Sequence, residues 1–389
     1  MYDDERVSSL KDFNKGIGRR NVSNKLRVGI IGAGGIARAH IESFQAIDDL
    51  EIVALWNRSR ERAEQLASES KMDGNVIVDE WREMMSKDRI DIVSIITAPQ
   101  LRLDPIQAAF ADGIHVVVEK PISLDLNEAR QIAALARGTN CHSAVCHTWR
   151  YRSCNLIARR LIREDAIGAV THYSSTWRFS WPRNISPIDF RPFMCEREGG
   201  QGLLSENGSH QFDMFSFLTG KSIDELGGRI SWIESTDPPN RTNTSYHLVG
   251  SSENAVMTFE HTSPNAPFWM KSTRTVHIEG EKATIIVEGG LLDKGSVALR
   301  EGEDGELRTV TAEELGISTQ PLHMGLVADF VELIRSDGDS VVDGERKFDH
   351  DRPENLPTLD DGLKAVEAVQ AAIVADKTKR IVNLSELDI

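Results

Sequence analysis

Short apolar runs alternate with amphipathic stretches in the first part of the chain. The apolar runs are typical of strands buried on both faces, and they occupy residues 26–31, 51–55, 90–97, 115–118 and 143–146. Apolar residues at helical spacing follow most of these runs, at 36–44, 60–69, 105–112 and 126–137. Strands that alternate with helices of this length predict βαβ units around a parallel sheet.

The pattern changes after Trp149. One helical stretch is followed by runs that alternate apolar and polar residues and are rich in Thr, Val, Ile and Tyr, at 170–179, 230–234, 244–249, 255–261, 274–279 and 283–288. This alternation predicts an antiparallel sheet with one solvated face. Further helices are expected at 156–164, 212–218, 321–335 and 359–375, and the polar stretch 343–357 is expected to form an exposed loop.

These patterns predict an α/β protein with two folded domains. We expect a flexible arm over residues 1–24 and a first domain with a parallel sheet over 25–147. A second, α+β domain with a large, mostly antiparallel open sheet is expected over 148–389. The last long helix, near 359–375, is expected to pack back on the first domain.

The amino-acid composition and the net charge exclude several classes of function. The 389 residues are 40% hydrophobic and 27% charged, as in a soluble globular protein, and their net charge is -15. An acidic chain is a poor general binder of nucleic acid, because neutralising phosphates requires a basic face. No apolar run approaches the roughly 20 residues of a membrane helix, and residues 1–24 lack the apolar core of a secretory signal. We therefore expect a cytoplasmic protein without membrane or nucleic-acid partners.

The cysteines give no sign of a metal or a redox motif. Cys141, Cys146, Cys154 and Cys195 form no CxxC pair, so the spacings of zinc and thioredoxin-like sites are missing from the sequence. Four reduced thiols are expected, and no metal site is predicted.

A glycine-rich turn follows the first predicted strand. Gly32, Gly34, Gly35, Ile36 and Ala37 stand between that strand and the next helix in a G-x-G-x-x-A pattern. Gly32 permits the tight turn, and Gly34 lets the main chain approach a pyrophosphate that faces the helix N-terminus. The turn predicts a Rossmann-type site for a nicotinamide dinucleotide.

The end of the second strand bears on the choice of cofactor. An NAD site usually has an acid there, but this chain has Asn57, Arg58 and Ser59. Arg58 is suited to pairing with a 2′-phosphate, and its two neighbours can donate hydrogen bonds to it. NADP is therefore favoured, with NAD as the alternative if Arg58 is only a solvated cation that stacks on adenine.

The triplet Glu119-Lys120-Pro121 ends a predicted parallel strand, at the sheet edge where ligands bind. Pro121 restricts Lys120 to an extended main chain, so that its ammonium group has a defined starting direction. Such a lysine can stabilise the alkoxide that forms when a hydroxyl is oxidised. The alternative is a surface lysine at a strand end.

A fourth signal is the segment from Glu206 to Asp213. If it opens the helix that runs to Leu218, Glu206 and His210 share a face at i, i+4, and Asp213 follows at i+3. A histidine between two carboxylates is a plausible proton acceptor near neutral pH. The alternative is a histidine that caps or packs its helix.

Together, the glycine turn, Glu119-Lys120-Pro121, and Gly208-Ser209-His210 with Asp213 resemble the glucose-fructose oxidoreductase / inositol dehydrogenase / MocA (Gfo/Idh/MocA) family. The resemblance extends from Lys25 to Leu384. It implies an NAD(P)-dependent oxidoreductase that acts on sugars or cyclitols, with a Rossmann domain followed by an α/β domain with a large open sheet.

The resemblance also implies roles for individual residues. Lys120 and His210 take the places of the catalytic lysine and histidine, and Glu206 stands where the family usually has Asp. Arg102 stands where many members have His. Implied cofactor contacts also include Thr97, Ala98, Pro99 and Glu119, and implied substrate contacts are Lys120, Arg150, Tyr151, Trp177, Asn207, His210 and Asp213.

Three functions remain open at this point. The first is hydride transfer between the nicotinamide and a hydroxyl carbon of a sugar, sugar derivative or cyclitol, with Lys120 and His210 in proton transfer. The second is a tightly bound, recycled cofactor that supports transient oxidation with elimination or transfer. The third is a non-catalytic NAD(P) or sugar sensor. A homodimer or homotetramer formed through the open sheet is expected in each case.

Overall fold

A computed structural model describes residues 25–178, 195, 200–236, 239–262, 272–289, 295–302, 305–318, 320–336, 341–342, 345–346 and 352–387. They form two compact units. The first comprises residues 25–123, 130–148 and 320–359, and the second comprises 124–129, 149–319 and 360–387, in each case over the described residues. The arm expected at 1–24 lies outside the described residues.

The first unit contains a five-stranded parallel sheet in the order β2-β1-β3-β4-β5. The strands are β1 (Leu26–Ile31), β2 (Leu50–Trp56), β3 (Ile92–Ile95), β4 (His115–Val118) and β5 (Ser143–Val145). The helices between them are α1 (Ala37–Gln45), α2 (Arg60–Glu69), α3 (Leu103–Ala111) and α4 (Leu126–Arg137). The predicted parallel βαβ arrangement is confirmed.

Burial explains why these segments take these forms. Every residue of β3 is buried, as expected for a strand covered on both faces. On α1 the buried residues Ala37, His40, Ile41 and Phe44 recur at helical spacing and give the helix one face towards the core. His40 is thus a polar side chain on a buried face, where it requires hydrogen-bonding partners.

The second unit contains a nine-stranded sheet in the order β13-β12-β11-β10-β6-β9-β8-β7-β16. The long strands are β6 (Val170–Arg178), β7 (Glu225–Thr236), β8 (Pro239–Ser252), β9 (Ala255–Thr262), β10 (Thr273–Gly280) and β11 (Ala283–Gly289). Three shorter strands complete it, β12 (Ser296–Glu301), β13 (Arg308–Val310) and β16 (Val382–Asn383). The predicted mostly antiparallel sheet is confirmed, and β6 and β9 form its parallel pair.

Helices also occur among the described residues of the second unit. They are α5 (Ser153–Arg163), α6 (Ser209–Thr219) and α8 (Leu359–Thr378), the last of which begins at the boundary of the unit. The helix α7 (Leu322–Ser336) belongs to the first unit and contacts α1. No helix among the described residues is both long enough and apolar enough to cross a bilayer.

One face of the large sheet is buried under helices. Along β9, Ala255, Met257 and Phe259 are buried while Val256 and Thr258 between them are exposed, which is the alternation the sequence predicted. The rings of Phe212 on α6 and Phe259 meet edge to face, 5.0 Å apart. Buried residues of α8, Ala368, Val369, Ala371, Ala372 and Ala375, belong to the same core.

Part of the stretch 343–357, predicted as a loop, is in strand form. The short strands β14 (Val341–Val342) and β15 (Glu345–Arg346) pair antiparallel with one another. Pairs this short carry no periodicity, so the sequence pattern could not indicate them.

Candidate active site

The glycine turn lies between β1 and α1, as predicted. Gly32 has φ +118°, and a Cβ at this position would come within 2.9 Å of the Ile96 carbonyl carbon, so both conformation and space require glycine. Gly34 and Gly35 border open space. Among the described side chains none caps α1, and the Ala37 N–H donates to the Gly34 carbonyl within the turn.

Asn57 supports this turn from the end of β2. Its Oδ1 accepts a hydrogen bond from the Ala33 N–H at 3.0 Å, and its Nδ2 donates to the Ser59 carbonyl at 2.9 Å. The Ser59 hydroxyl caps α2 by accepting from the Arg62 N–H. Arg58 is exposed and makes no ion pair with another described residue. Of the three predicted cofactor residues here, Arg58 is therefore the side chain that faces solvent with its charge available.

Arg102 holds together the loops that follow β3 and β4. Its guanidinium group is buried and donates to the Thr97 carbonyl from Nε at 3.0 Å and from Nη2 at 2.7 Å. The same group donates to the carbonyls of Glu119 and Pro121, on either side of Lys120. Sequence reasoning noted Arg102 only as a departure from the family pattern. No local signal indicates a residue that bonds carbonyls on two separate loops.

Lys120 follows β4 at the carboxyl edge of the parallel sheet and is half-buried, and its peptide bond to Pro121 is cis. The preceding Glu119 points into the first unit. Its carboxylate lies 3.0 Å from His40 Nε2 and 3.6 Å from His323 Nε2, and it accepts from the Lys120 N–H at 3.2 Å. The predicted cofactor residue Glu119 thus engages two histidines that sequence reasoning did not connect with it.

The charge state of this cluster follows from burial and hydrogen bonding. Burial raises the pKa of Glu119, but hydrogen bonds from His323 and His40 outweigh it and hold the pKa well below its usual value. Burial also lowers the pKa of His40, more than Glu119 raises it. Glu119 is therefore a carboxylate beside a neutral His40 at neutral pH.

His210 lies in the first turn of α6, and the chain before it, including Glu206, is helical with a different hydrogen-bonding pattern. Residues Leu204–Gly208 form a π-helical turn, and the α-helix begins at Ser209. The i, i+4 face predicted for Glu206 and His210 assumed one continuous α-helix, and the wider π-turn rotates Glu206 relative to His210 around the helix axis. Single π-turns of this kind are frequent at functional sites.

The His210 ring is stacked on Trp149. Their ring centroids are 4.8 Å apart with an interplanar angle of 5°, and His210 is buried, with 7% of its surface exposed. Trp149 also contacts Trp177, at 4.7 Å, and the Arg274 guanidinium, 4.8 Å from its ring centroid. Sequence reasoning missed Trp149 and Arg274, since nothing local distinguishes them from core residues.

Asp213 is engaged by Arg150. Two Arg150 nitrogens approach its carboxylate, Nε at 3.0 Å and Nη2 at 2.5 Å, and Arg150 Nη2 also lies 3.2 Å from Asp361. Burial lowers the pKa of Arg150, but Asp213 and Asp361 outweigh it and raise the pKa above its ordinary value. These two predicted substrate residues therefore form a buried ion pair with each other.

The other predicted substrate residues are also buried. Tyr151 and Trp177 have little exposed surface, and Trp177 Nε1 donates to Ser272 Oγ at 3.1 Å. The Asn207 amide lies 3.2 Å from His261 Nε2. Burial lowers the pKa of His261 to about 3, despite an opposing hydrogen bond with the Thr244 main chain, so this ring is neutral.

The chain is similar to several known proteins. It is 23% identical over 367 residues to inositol 2-dehydrogenase of Rhizobium meliloti, which covers 92% of this chain and 99% of the relative. It is 29% identical over 199 residues to the uncharacterized protein YMR315W of Saccharomyces cerevisiae, covering 50% of this chain and 56% of the relative. The solved structure of a levoglucosan dehydrogenase in complex with NADH and levoglucosan has the same fold, with a TM-score of 0.78, 20% identity, and 92% and 99% of the two chains covered.

Two family descriptions match in sequence order and cover most of the chain. Residues 26–147 match the oxidoreductase family with an NAD-binding Rossmann fold, GFO_IDH_MocA. Residues 156–286 match the GFO/IDH/MocA C-terminal domain. The family predicted from the glycine turn, the Glu119-Lys120-Pro121 triplet and the His210 segment is confirmed, and the chain belongs to the Gfo/Idh/MocA family of oxidoreductases.

Proposed function

We propose that this protein is an NAD(P)-dependent dehydrogenase that oxidises a hydroxyl carbon of a sugar, sugar derivative or cyclitol, or catalyses the reverse reduction. The observation that carries this proposal is the position of two features on one sheet. The glycine turn follows β1 and Lys120 follows β4, so both lie at the carboxyl edge of the parallel sheet, where dinucleotides bind. The similarity to an inositol 2-dehydrogenase and to a levoglucosan dehydrogenase supports the substrate class.

Lys120 is proposed to donate a hydrogen bond to the reacting oxygen. Its ammonium group stabilises the negative charge that develops there as the hydroxyl loses its proton. Arg102, through the carbonyls on both sides of Lys120, fixes the main chain from which that ammonium group extends. The bound nicotinamide supplies the acceptor for the hydride from the carbon.

His210 is proposed to take the proton of the hydroxyl group. A neutral imidazole can accept it, and the stacking on Trp149 holds the plane of the ring. Glu206, half-buried in the π-turn, is proposed to assist this proton transfer, because Asp213 is occupied by Arg150. The assignment of Arg150, Tyr151, Trp177 and Asn207 to substrate binding stays a prediction.

NADP is the proposed cofactor, with NAD as the alternative. Asn57 and Ser59 make hydrogen bonds within the protein, whereas Arg58 is exposed at the end of β2. A guanidinium group at that position can form a bidentate ion pair with a 2′-phosphate. No acid stands at the three positions after β2 to hold a free 2′-hydroxyl.

The test is a panel of sugars and cyclitols offered with NADP and NAD, followed at the nicotinamide absorbance. The active pair is then measured with Lys120→Ala and Lys120→Arg. We expect Lys120→Ala to lower kcat by at least about a hundredfold with cofactor affinity nearly unchanged, as for the loss of an oxyanion contact. Undiminished turnover in Lys120→Ala, or no oxidation of any panel member by the folded wild type, would contradict the proposal.

The open face of the large sheet is proposed to form a homodimer or homotetramer interface. Val249 and Val256 are exposed large apolar residues of this sheet, and Val256 has 52% of its surface exposed. Light scattering at micromolar concentration tests this, and a monomer would contradict it.

A further inference from the structure

A histidine–carboxylate–histidine cluster lies in the first unit. His40 comes from α1, Glu119 from the end of β4 and His323 from α7. One ligand atom from each residue lies within 4.8 Å of the other two. The three residues stand far apart in the sequence, which is why cysteine and histidine spacing gave no sign of them.

The distances that serve as hydrogen bonds in this cluster also match the spacing of ligand atoms around a transition-metal ion. Zinc bonds to nitrogen and oxygen are about 2.0–2.2 Å, so tetrahedral ligand atoms lie about 3.3 Å from one another. The Glu119 Oε1 atom is 3.0 Å from His40 Nε2 and 3.6 Å from His323 Nε2, close to that separation on both sides. The two imidazole rings are 5.0 Å apart and inclined at 54°, so they approach the carboxylate from different directions.

Groups around the cluster support a ligand role. His40 Nδ1 lies 2.9 Å from Ser94 Oγ, and a hydroxyl can accept the Nδ1 proton when Nε2 is given to a metal. The second Glu119 oxygen, Oε2, accepts from the Lys120 N–H and is thereby oriented. Metal-binding histidines and carboxylates usually have such outer partners.

We propose that His40 Nε2, a Glu119 carboxylate oxygen and His323 Nε2 bind one divalent transition-metal ion of the zinc class. Two imidazoles and one carboxylate are a donor set that suits Zn²⁺ and excludes a preference for Mg²⁺ or Ca²⁺. The fourth position is left for water. This site goes beyond the proposed dehydrogenase activity and does not depend on it.

The ion has a structural role in this proposal. It ties α1, the segment that precedes Lys120 and α7 to a single point within the first unit. The buried guanidinium group of Arg102 donates to the Glu119 carbonyl, so it places near the cluster a positive charge that opposes a cation. We therefore expect an affinity below that of all-cysteine structural zinc sites, with a measurable rise in the thermal unfolding midpoint on binding.

The test uses the full chain without a polyhistidine tag, stripped with a chelator and then dialysed against Zn²⁺ or Co²⁺. We expect one equivalent of metal, a Co²⁺ absorption spectrum typical of tetrahedral coordination, and an affinity at least about tenfold weaker in His323→Gln and His40→Gln. Glutamine can still donate a hydrogen bond to Glu119, so these variants keep the contact that holds the metal-free protein together.

His172→Gln is the matched control. It removes a histidine 3.7 Å from the Glu279 carboxylate on the second unit, and metal affinity should not change. The proposal is overturned if the wild type takes up no stoichiometric metal. The proposal is also overturned if both cluster variants bind the metal with wild-type affinity. If a variant does not fold, the metal stoichiometry and the Co²⁺ spectrum of the wild type decide whether the site exists.

Discussion

The imidazole ring of His210 lies parallel to the indole ring of Trp149, at 4.8 Å and 5°. Offset parallel stacking fixes the plane of a ring but leaves its in-plane nitrogens available for hydrogen bonds. Trp149 is itself buried against Trp177 and Arg274. The orientation of the proposed proton acceptor is thus set by an aromatic residue that carries no chemistry of its own.

Replacing Trp149 with Leu should therefore impair the chemical step. We expect kcat to fall by about tenfold or more, in keeping with the usual contribution of positioned acid–base groups, and the acidic limb of the pH–rate profile to move. The cofactor KM should stay the same. Trp149→Phe keeps an aromatic face and should recover most of kcat. A Leu variant that is folded by circular dichroism and has the wild-type profile would refute this role.

Arg58 should determine the cofactor preference. Hydrogen bonds to a charged group are worth about 1.5–3 kcal/mol, so Arg58→Ala should weaken NADP binding by at least about tenfold and leave NAD binding nearly unchanged. Fluorescence titration of both cofactors measures the two constants. Arg60→Ala is the control, because Arg60 pairs with Glu64 and Asp79 in the wild type. Equal losses for NADP and NAD would show that Arg58 does not contact the 2′-phosphate.

The buried Arg150–Asp213 pair should matter chiefly for stability. Asp213→Ala leaves the guanidinium group with Asp361 as a carboxylate partner, and breaking a buried pair in this way costs about 3 kcal/mol or more. Urea unfolding measures the change. The double variant Arg150→Met/Asp213→Leu should recover much of the loss, because it removes both charges.

An exposed ion pair provides the comparison for this prediction. Arg160 in the last turn of α5 pairs with Glu164, the residue that directly follows this helix, and about half of each side chain is exposed, so Glu164→Ala should cost about 0.5 kcal/mol or less. If Asp213→Ala is no more destabilising than Glu164→Ala, the buried pair contributes little to the fold.

His261 should make the protein less stable in mild acid. Burial lowers the pKa of His261 in the folded protein to about 3, whereas the same imidazole in the unfolded chain has a pKa of about 6.5. Between those values the unfolded state binds more protons, so the free energy of unfolding falls as pH falls. At about 1.4 kcal/mol per pH unit, the group should lower stability by about 2 kcal/mol from pH 7 to pH 5.

Urea unfolding of the wild type and His261→Gln at those two pH values tests this. The difference between the two pH values should shrink by about 2 kcal/mol in the variant. His277→Gln, which removes an exposed histidine from the same sheet, controls for the loss of one ring. An identical pH dependence in His261→Gln and wild type would show that His261 is protonated in the folded state.

The sequence predicted the features that depend on local pattern. The strand Leu26–Ile31, the helix Arg60–Glu69 and the glycine turn were all evident from apolar spacing and from residue types that turns require. Lys120 could be placed at a sheet edge because it follows a strand directly. Periodicity can predict such elements because side chains return to the same face every 2 residues in a strand and every 3.6 residues in a helix.

The sequence could not predict contacts between distant segments. Nothing near Asn57 indicates that its amide holds Ala33, and nothing near Glu119 indicates two histidines around its carboxylate. The π-turn before His210 could not be predicted either, because one extra residue in a helical turn requires no particular residue type. Such features arise from tertiary packing, which overrides local preference.

Residues 320–359 belong to the first unit, but the ribosome synthesises them after most of the second unit. The five parallel strands emerge early, but the helix α7, which contacts α1, is made only after most of the second unit. The edge strand β16 of the large sheet comes later still, at Val382–Asn383. Neither unit can therefore complete its fold until a segment made near the end of translation has been added. Until then, each unit exposes apolar surface to which chaperones can bind.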